Sequence, residues 1–434
     1  MATHPRADAA DPDPNRRPPP KPAGLGRLSL ITSLILLVLG GVLPTDPLRD
    51  VATSTGPPDA ALVATPAYLL AAPVWRLLDT VALLGAWQHG AFVATALAVY
   101  AVWRVQRRRG RGRGGVRGWV AETGATGLFL MGLLTLYAAT AFLPHPTMQL
   151  NVTDPELVRV DFHSHTGHSR DAADRFGVEW NRRWHRRTGY DVAYVTDHST
   201  WAGIPAAAAS NPDLAGEDVI LLGGTEAWFK GDHAVALGDS LRTMQLMDST
   251  RWRFEPDSLL RRATDSPAML VVVLPLKRLD RVLGWTPETP DGVVALEIVD
   301  GSPKGLGQSR EDRGHLLETA EQHDLALVSG SNTHGTGQVA AAWTLLRIPG
   351  WRTMAADHLE GEIDRTLRAE RGKATRVIER TMPHASSGVG LAATVPALVW
   401  HAAATMGWPE RMVWFAYTGL LLIIPARVGA GRRR

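Results

Sequence analysis

The stretch Val158-Arg159-Val160-Asp161-Phe162-His163-Ser164-His165-Thr166 closes an apolar run with two histidines one residue apart. In an extended strand, residues i and i+2 face the same way, so both imidazoles aim at one point where the strand ends. Two ring nitrogens so placed suit a hard or borderline divalent metal. A lone His-x-His occurs by chance on many surfaces. Here further candidate ligands recur downstream, each at the end of its own apolar run.

Working outward, short Val/Ile/Leu runs predict strands at Leu157–Phe162, Val192–Val195, Val219–Leu222, Ala234–Leu237, Met269–Leu274, Val293–Val299 and Leu325–Val328. Helix-like spacing lies between them at Ala173–Arg187, Asp257–Thr264 and Glu311–His323. Fully apolar strands joined by helices imply an α/β body with a mainly parallel sheet, closed or open, covered on both faces. Active groups then gather at the carboxyl ends of the strands. The candidates obey that rule. Asp171 follows His165, and Asp197-His198 ends the second strand. Glu226 follows Gly223-Gly224-Thr225, His233 opens the next strand, and Asn332 and His334 follow Ser329-Gly330-Ser331. Asp171 also stands where it would cap a helix starting near Ala172, and Gly231-Asp232-His233 also reads as a loop entering a strand. His168, His185, His315 and His323 read as ordinary surface residues.

The ordered set Asp161-Phe162-His163-Ser164-His165-Thr166, Ser169-Arg170-Asp171, Thr196-Asp197-His198, Gly224-Thr225-Glu226 and Gly330-Ser331-Asn332-Thr333-His334 resembles the PHP (polymerase and histidinol phosphatase) family. Glu297-Ile298-Val299-Asp300-Gly301 resembles that family's acidic strand end, and Glu360–Arg371 its closing helix. The resemblance covers about half the chain, residues 157–375. It implies a distorted (β/α)7 barrel and a site for up to three divalent metals. His163, His165 and Glu226 would hold one metal, and Asp171, His198 and His334 a second. Glu226 would reach a third with His233. Two positions depart from the pattern: Leu274-Pro275 stands where the family has His-Pro, and Asn332-Thr333-His334 where it has Asp-x-His. Both weaken the ligand set, so two ions are expected (zinc, manganese or iron).

The implied activity is hydrolysis of a phosphate ester, because bound metals lower the pKa of a coordinated water and neutralise phosphoryl charge. Asp197 would orient His198 from behind. Lys277 or Arg278 would place a fixed positive charge near a phosphate, the alternative being an exposed basic loop. The chain has no cysteine, so thiolate ligands, thiol nucleophiles and disulfides are excluded. The competing reading is a degenerate, non-catalytic module that binds a phosphorylated ligand or serves as a scaffold. It rests on Leu274 and Asn332.

Outside residues 145–385 the texture differs. Residues 1–26 are proline-rich and polar and read as a disordered tail. Leu28 to Thr45, Thr80 to Trp103 and Thr123 to Leu143 are uncharged runs of spanning length, predicting three transmembrane helices within residues 27–144. Ala60 to Trp75 reads as interfacial or re-entrant. Residues 386–434 predict one or two more helices, from Ser386 to Trp408 and Met412 to Ala426. His89 and His401 lie in these segments, where polar groups are often functional. Seven arginines between Arg104 and Arg117, with no acid, predict a cytoplasmic loop. The third span then carries residues 145–386 outside. Arg427 and Arg432 to Arg434 conflict with this if both final segments cross fully. The expected partners are a small phosphorylated substrate and the lipid bilayer, with no nucleic acid. The expected location is the cell's inner membrane, the soluble body facing outward.

Overall fold

Apolar runs buried on both faces become the strands of one curled sheet. A computed structural model describes residues 25–109, 116–229, 232–238, 247–248, 253–254, 269–274 and 293–431. Strand β4 (Leu157–Ser164) lies parallel to β5 (Val192–Val195), and β5 parallel to β6 (Ile220–Phe229). All four residues of β5 are buried, as a strand covered on both sides requires. β7 (Asp232–Leu237) runs antiparallel to β6 and to β10 (Met269–Val272). β10, β11 (Val293–Asp300) and β12 (Ala326–Gly330) are parallel. On the other side of β4, strands β13 (Ala342–Arg347), β14 (Thr375–Arg380) and β1 (Leu48–Asp50) pair antiparallel in turn. Two short strands, β8 (Met247–Asp248) and β9 (Arg253–Phe254), add to β6.

The α/β class is as expected, but the sheet is mixed and strongly curled rather than a mainly parallel (β/α)7 barrel. The reason is local. β6 and β7 are separated by only two residues, which permits a hairpin and no crossover helix. The far ends nevertheless meet. Ser164 and Thr333 form an isolated parallel bridge. Asn332 N donates to His163 O at 2.7 Å, and His165 N to Thr333 O at 3.1 Å. That curl brings the end of β12 over the end of β4.

Helices cover the sheet. Leu359, Ile363 and Leu367 recur every four residues on Ala356–Glu370 and are buried in one core cluster with Val160, Tyr194 and Val271. Phe162 and Tyr194 stack inside that cluster, ring centres 5.5 Å apart. The predicted helix Ala173–Arg187 begins later, at Val178, and ends at Thr188 on left-handed Gly189. Residues 171–177 form a loop, so Asp171 caps nothing. The predicted Glu311–His323 helix is observed as Arg313–Gln322, preceded by a further helix, Pro303–Glu311. The predicted helix Asp257–Thr264, together with Lys277 and Arg278, lies outside the described residues.

The flanking segments also differ from expectation. The stretch expected to be interfacial contains strand β2 (Ala60–Ala64), which pairs with β3 (Met148–Val152). It continues as helices Pro66–Leu70 and Ala72–Ala82. The run expected to span at Thr80 to Trp103 is broken at Leu83–Gly85. A new helix, Ala86–Arg109, opens with Gln88 and His89 and closes on an arginine cluster, too polar to qualify as a span. Among the described residues one helix is long and apolar enough to cross a membrane, Gly118–Phe142, and Leu28–Val42 is a shorter apolar helix. After Ser386 come helices Gly388–Ala392, Thr394–Ala404 and Trp408–Gly431. The two long central helices are antiparallel neighbours: Tyr100 stacks on Phe129, and Arg104 Nε donates to Glu122 Oε2 at 2.8 Å. A polar seam ties the helices to the sheet, with Asp79 accepting from His145 at 2.9 Å and lying 3.4 Å from Arg380 on β14.

Candidate metal centre

β4 ends on His163 and His165, both fully buried. Their Nε2 atoms stand 3.1 Å apart, and Glu226 Oε2 lies 3.1 Å from the first and 3.3 Å from the second. Glu226 comes from β6, two strands away. Donors around a tetrahedral ion at about 2.0–2.1 Å stand roughly this far from one another. His198, from the loop after β5, puts Nδ1 at 3.1 Å from Glu226 Oε2, and His233 on β7 puts Nδ1 at 2.6 Å from Oε1. Glu226 is thus a buried carboxylate met by four imidazoles.

A second convergence adjoins it. His165, His198 and His334 bring ring nitrogens together, with His165 stacked on His198 and His334 at centre distances of 4.6 and 4.0 Å. Asp171 lies 3.3 Å from both His198 Nε2 and His334 Nε2, on the solvent side. Apart from that Asp171 contact, His334 Nε2 is buried without a hydrogen-bond partner among the described residues. A buried ring nitrogen left in this way fits a donor to a cation. Three overlapping donor groups result: His163/His165/Glu226, His165/His198/His334 and His198/Glu226/His233. They are consistent with one or more divalent metal ions.

The electrostatics of His165, His198 and Glu226 suit that use. Burial pushes the His165 and His198 rings below the usual histidine range, which keeps a lone pair free. Burial alone would lift the Glu226 carboxyl, but the charge of His163 and hydrogen bonds from three histidines hold it well below the usual range. Burial would likewise depress His163, yet Glu226 and Glu297 on either side raise it well above.

Around these donors sits a set of buried supports. Glu297 accepts from His163 Nδ1 at 3.1 Å and from Leu274 N at 2.8 Å. Its carboxyl is pushed up to about 8 by burial. Ser169 Oγ lies 3.1 Å from His165 Nδ1, and Asn332 O lies 3.0 Å from His334 Nδ1. Contacts of this kind fix ring orientation and tautomer. Glu297 was visible only as part of a motif, and its contact with His163 was not. His185, read as a surface residue, is fully buried and holds Asp161 Oδ2 at 2.7 Å. Its place on the inner face of a helix four residues after Asn181 was the available signal.

Two expected residues, Asp197 and Asn332, have other partners. Asp197 does not reach the His198 ring. Burial raises its carboxyl, and it accepts from Thr166 N and Thr166 Oγ1 at 2.6 and 2.7 Å, shaping the loop that follows His165. Asn332 sits at φ +44° and donates its amide to Asp300 Oδ2 at 3.1 Å, while its Oδ1 is buried without a partner. Leu274 is buried in an apolar cluster and takes no part in ligation. Lys277 lies outside the described residues.

No family model matches this chain, and no curated protein does. Solved structures do. PsfC from Pseudomonas syringae is 16% identical, covers 58% of this chain and 99% of its own, with a TM-score of 0.37. A lesion-specific endonuclease from Pyrococcus furiosus is 11% identical over 49% of this chain and 56% of its own, with a TM-score of 0.34. A protein described as a metal-dependent phosphoesterase from Bifidobacterium adolescentis is 19% identical over 48% of this chain and 96% of its own, with a TM-score of 0.29. Likenesses at this level say nothing of the reaction.

Proposed function

We propose that this chain is a membrane-anchored, metal-dependent phosphoesterase of PHP type. The observation that carries the reading is the gathering of His163, His165, His198, His233 and His334 around the Glu226 and Asp171 carboxylates. Divalent cations bound there would lower the pKa of a water and offset charge on phosphoryl oxygens. His163, His165 and Glu226 would hold one ion, and Asp171, His198 and His334 another, His233 extending Glu226. Imidazole and carboxylate donors accept zinc, manganese or iron. Glu297 holds the His163 ring, Ser169 the His165 ring and Asp197 the intervening loop. No serine or cysteine nucleophile is needed.

Metal analysis of the purified chain, with hydrolysis of an aryl phosphate, tests this. Bound metal and metal-dependent release of phosphate are expected; retention of metal without turnover of any phosphoester would overturn it in favour of a binding module. Buried Leu274 and the Asn332–Asp300 hydrogen bond are the observations on that second side.

Several features support a bilayer partner. Exposed apolar residues line Leu25–Val42, Ala86–Arg109, Val116–Phe142 and Trp408–Gly431, among them Ile35, Val99, Leu134 and Leu420. Trp87 and Trp119 are exposed near opposite ends of the antiparallel pair, as interfacial aromatics are. Helix Thr394–Ala404 is about 16 Å long, too short to cross. If Trp408–Gly431 alone crosses, the C-terminal arginines share the cytoplasmic side with the loop after Arg109, and the sheet faces outward. Alkaline carbonate extraction and protease protection in spheroplasts test this. Release by carbonate would remove the anchor, and protection of the sheet from external protease would reverse the orientation.

A further inference from the structure

A cavity of about 500 Å3 has donors of the metal centre on one wall and residues of helices Ala72–Ala82, Ala86–Arg109 and Gly118–Phe142 on the other. Asp171 and His334 line the first wall, and Ala82, His89, Tyr137, Thr140 and Ala141 line the second. Tyr137, Thr140 and Ala141 belong to the last turn and a half of Gly118–Phe142, the helix apolar enough to span. From Gly118 to Tyr137 the helix rises about 29 Å, close to the thickness of a bilayer's hydrocarbon core. The donor cluster therefore opens where that helix would leave the lipid.

From this we infer that the substrate is an amphiphile, a phosphate ester on a hydrocarbon tail, whose head reaches the Asp171/His334 side while the tail stays against the helices. The inference rests on the phosphoesterase reading and narrows its substrate class. Two further observations favour an amphiphile over a small polar ester. The helix wall sets Ala82 and Ala141 beside His89, Tyr137 and Thr140, the Tyr137 hydroxyl lying 3.2 Å from His89 Nδ1. The Thr140 hydroxyl is buried without a partner among the described residues. A head group's ester or glycerol oxygen would meet it, whereas a bare phosphate held at the donors would leave it unmet. Beside this mouth Phe142 and Leu143 remain exposed, with the Arg175 guanidinium 5.4 Å over the Phe142 ring. An apolar lip with a cation beside it suits a lipid phosphate.

The test is equilibrium binding to the full-length, metal-loaded chain in neutral detergent, with ethyl phosphate and dodecyl phosphate as probes. Dodecyl phosphate is expected to bind at least about tenfold more tightly, since each methylene removed from water adds to affinity. Ala141→Phe and Ala82→Phe fill the helix side without touching a metal donor. Each should erase the tail preference while leaving metal content and ethyl phosphate affinity unchanged. Partition of the probe into detergent is common to all the proteins and cancels in that comparison. Equal affinity for the two probes, or a tail preference that survives both fillings, overturns the inference. Loss of metal and of binding to both probes in the unsubstituted chain would instead defeat the phosphoesterase reading beneath it.

Discussion

Asp161 Oδ1 accepts the backbone N–H of Ser331 at 2.9 Å, across 170 residues of chain. The same oxygen accepts from His163 N at 3.1 Å, and Oδ2 pairs with His185 Nε2 at 2.7 Å. One carboxylate therefore joins the histidine-bearing end of β4 to the loop that carries Asn332 and His334. The contact locks the curl of the sheet at the candidate centre.

Replacing Asp161 by Ala leaves three buried donors without an acceptor. At about 1–3 kcal/mol for each, the expected loss is ~3 kcal/mol or more. Urea unfolding should show a lower midpoint with an unchanged slope, and metal content should fall with it. A midpoint equal to that of the parent would mean this carboxylate does not hold the two halves.

Glu226→Gln removes the negative charge that four imidazoles share. Supporting contacts alone alter metal affinity 10–100-fold, so this substitution should cost at least about 100-fold. Glu297→Gln, behind His163, should cost roughly 10–100-fold with little change in fold. Titration with a chelator reads both. If Glu297→Gln matches Glu226→Gln, the ranking of direct donor over supporting contact fails.

Gly330 has no room for a side chain. A Cβ there would lie 2.0 Å from Glu297 Oε1 and 2.4 Å from His163 Cβ. Gly330→Ala should destabilise the chain by about 1–3 kcal/mol through forced displacement, and disturb metal retention because both neighbours serve the centre. Thermal unfolding with and without added metal measures the two effects separately.

Asp59 offers a pH test away from the centre. The Arg376 guanidinium, bonded to both carboxylate oxygens at 2.7 and 2.8 Å, holds the Asp59 carboxyl below the ordinary aspartate value. A depressed pKa gives stability that is present above the unfolded value and lost as pH falls through the folded one. The pair is partly exposed, so Asp59→Asn should cost at most about 1 kcal/mol at neutral pH. The gap between parent and variant should close as acid takes the solution below the aspartate range. A gap that persists there would assign the effect to packing.

Much of the centre was legible because metal chemistry restricts residue types and strands impose a period of two. His163-Ser164-His165 needed only that period. His198, Glu226 and His334 needed the rule that parallel strands deliver groups at their carboxyl ends, whereas His233 opens the antiparallel strand β7. Strands β1, β2, β3, β13 and β14 were harder to read. Their partners lie far away in the chain, as with Leu48 opposite Arg380 and Ala60 opposite Val152. The run Thr80 to Trp103 misled for a related reason. Its apolarity fits a span, but the chain turns at Leu83–Gly85, and Leu78 and Val81 are buried inside the protein.

By itself the amino-acid sequence determined the α/β class and the donor types, since composition and period are local properties. Only the tertiary structure decided that the sheet is mixed, that Asp161 and His185 brace it, and that Asp197 serves Thr166 rather than His198. It also decided that the donor cavity opens against the end of the Gly118–Phe142 helix. Those outcomes depend on which distant groups meet, and a buried carboxylate takes whichever hydrogen-bond donor the fold brings within about 3 Å.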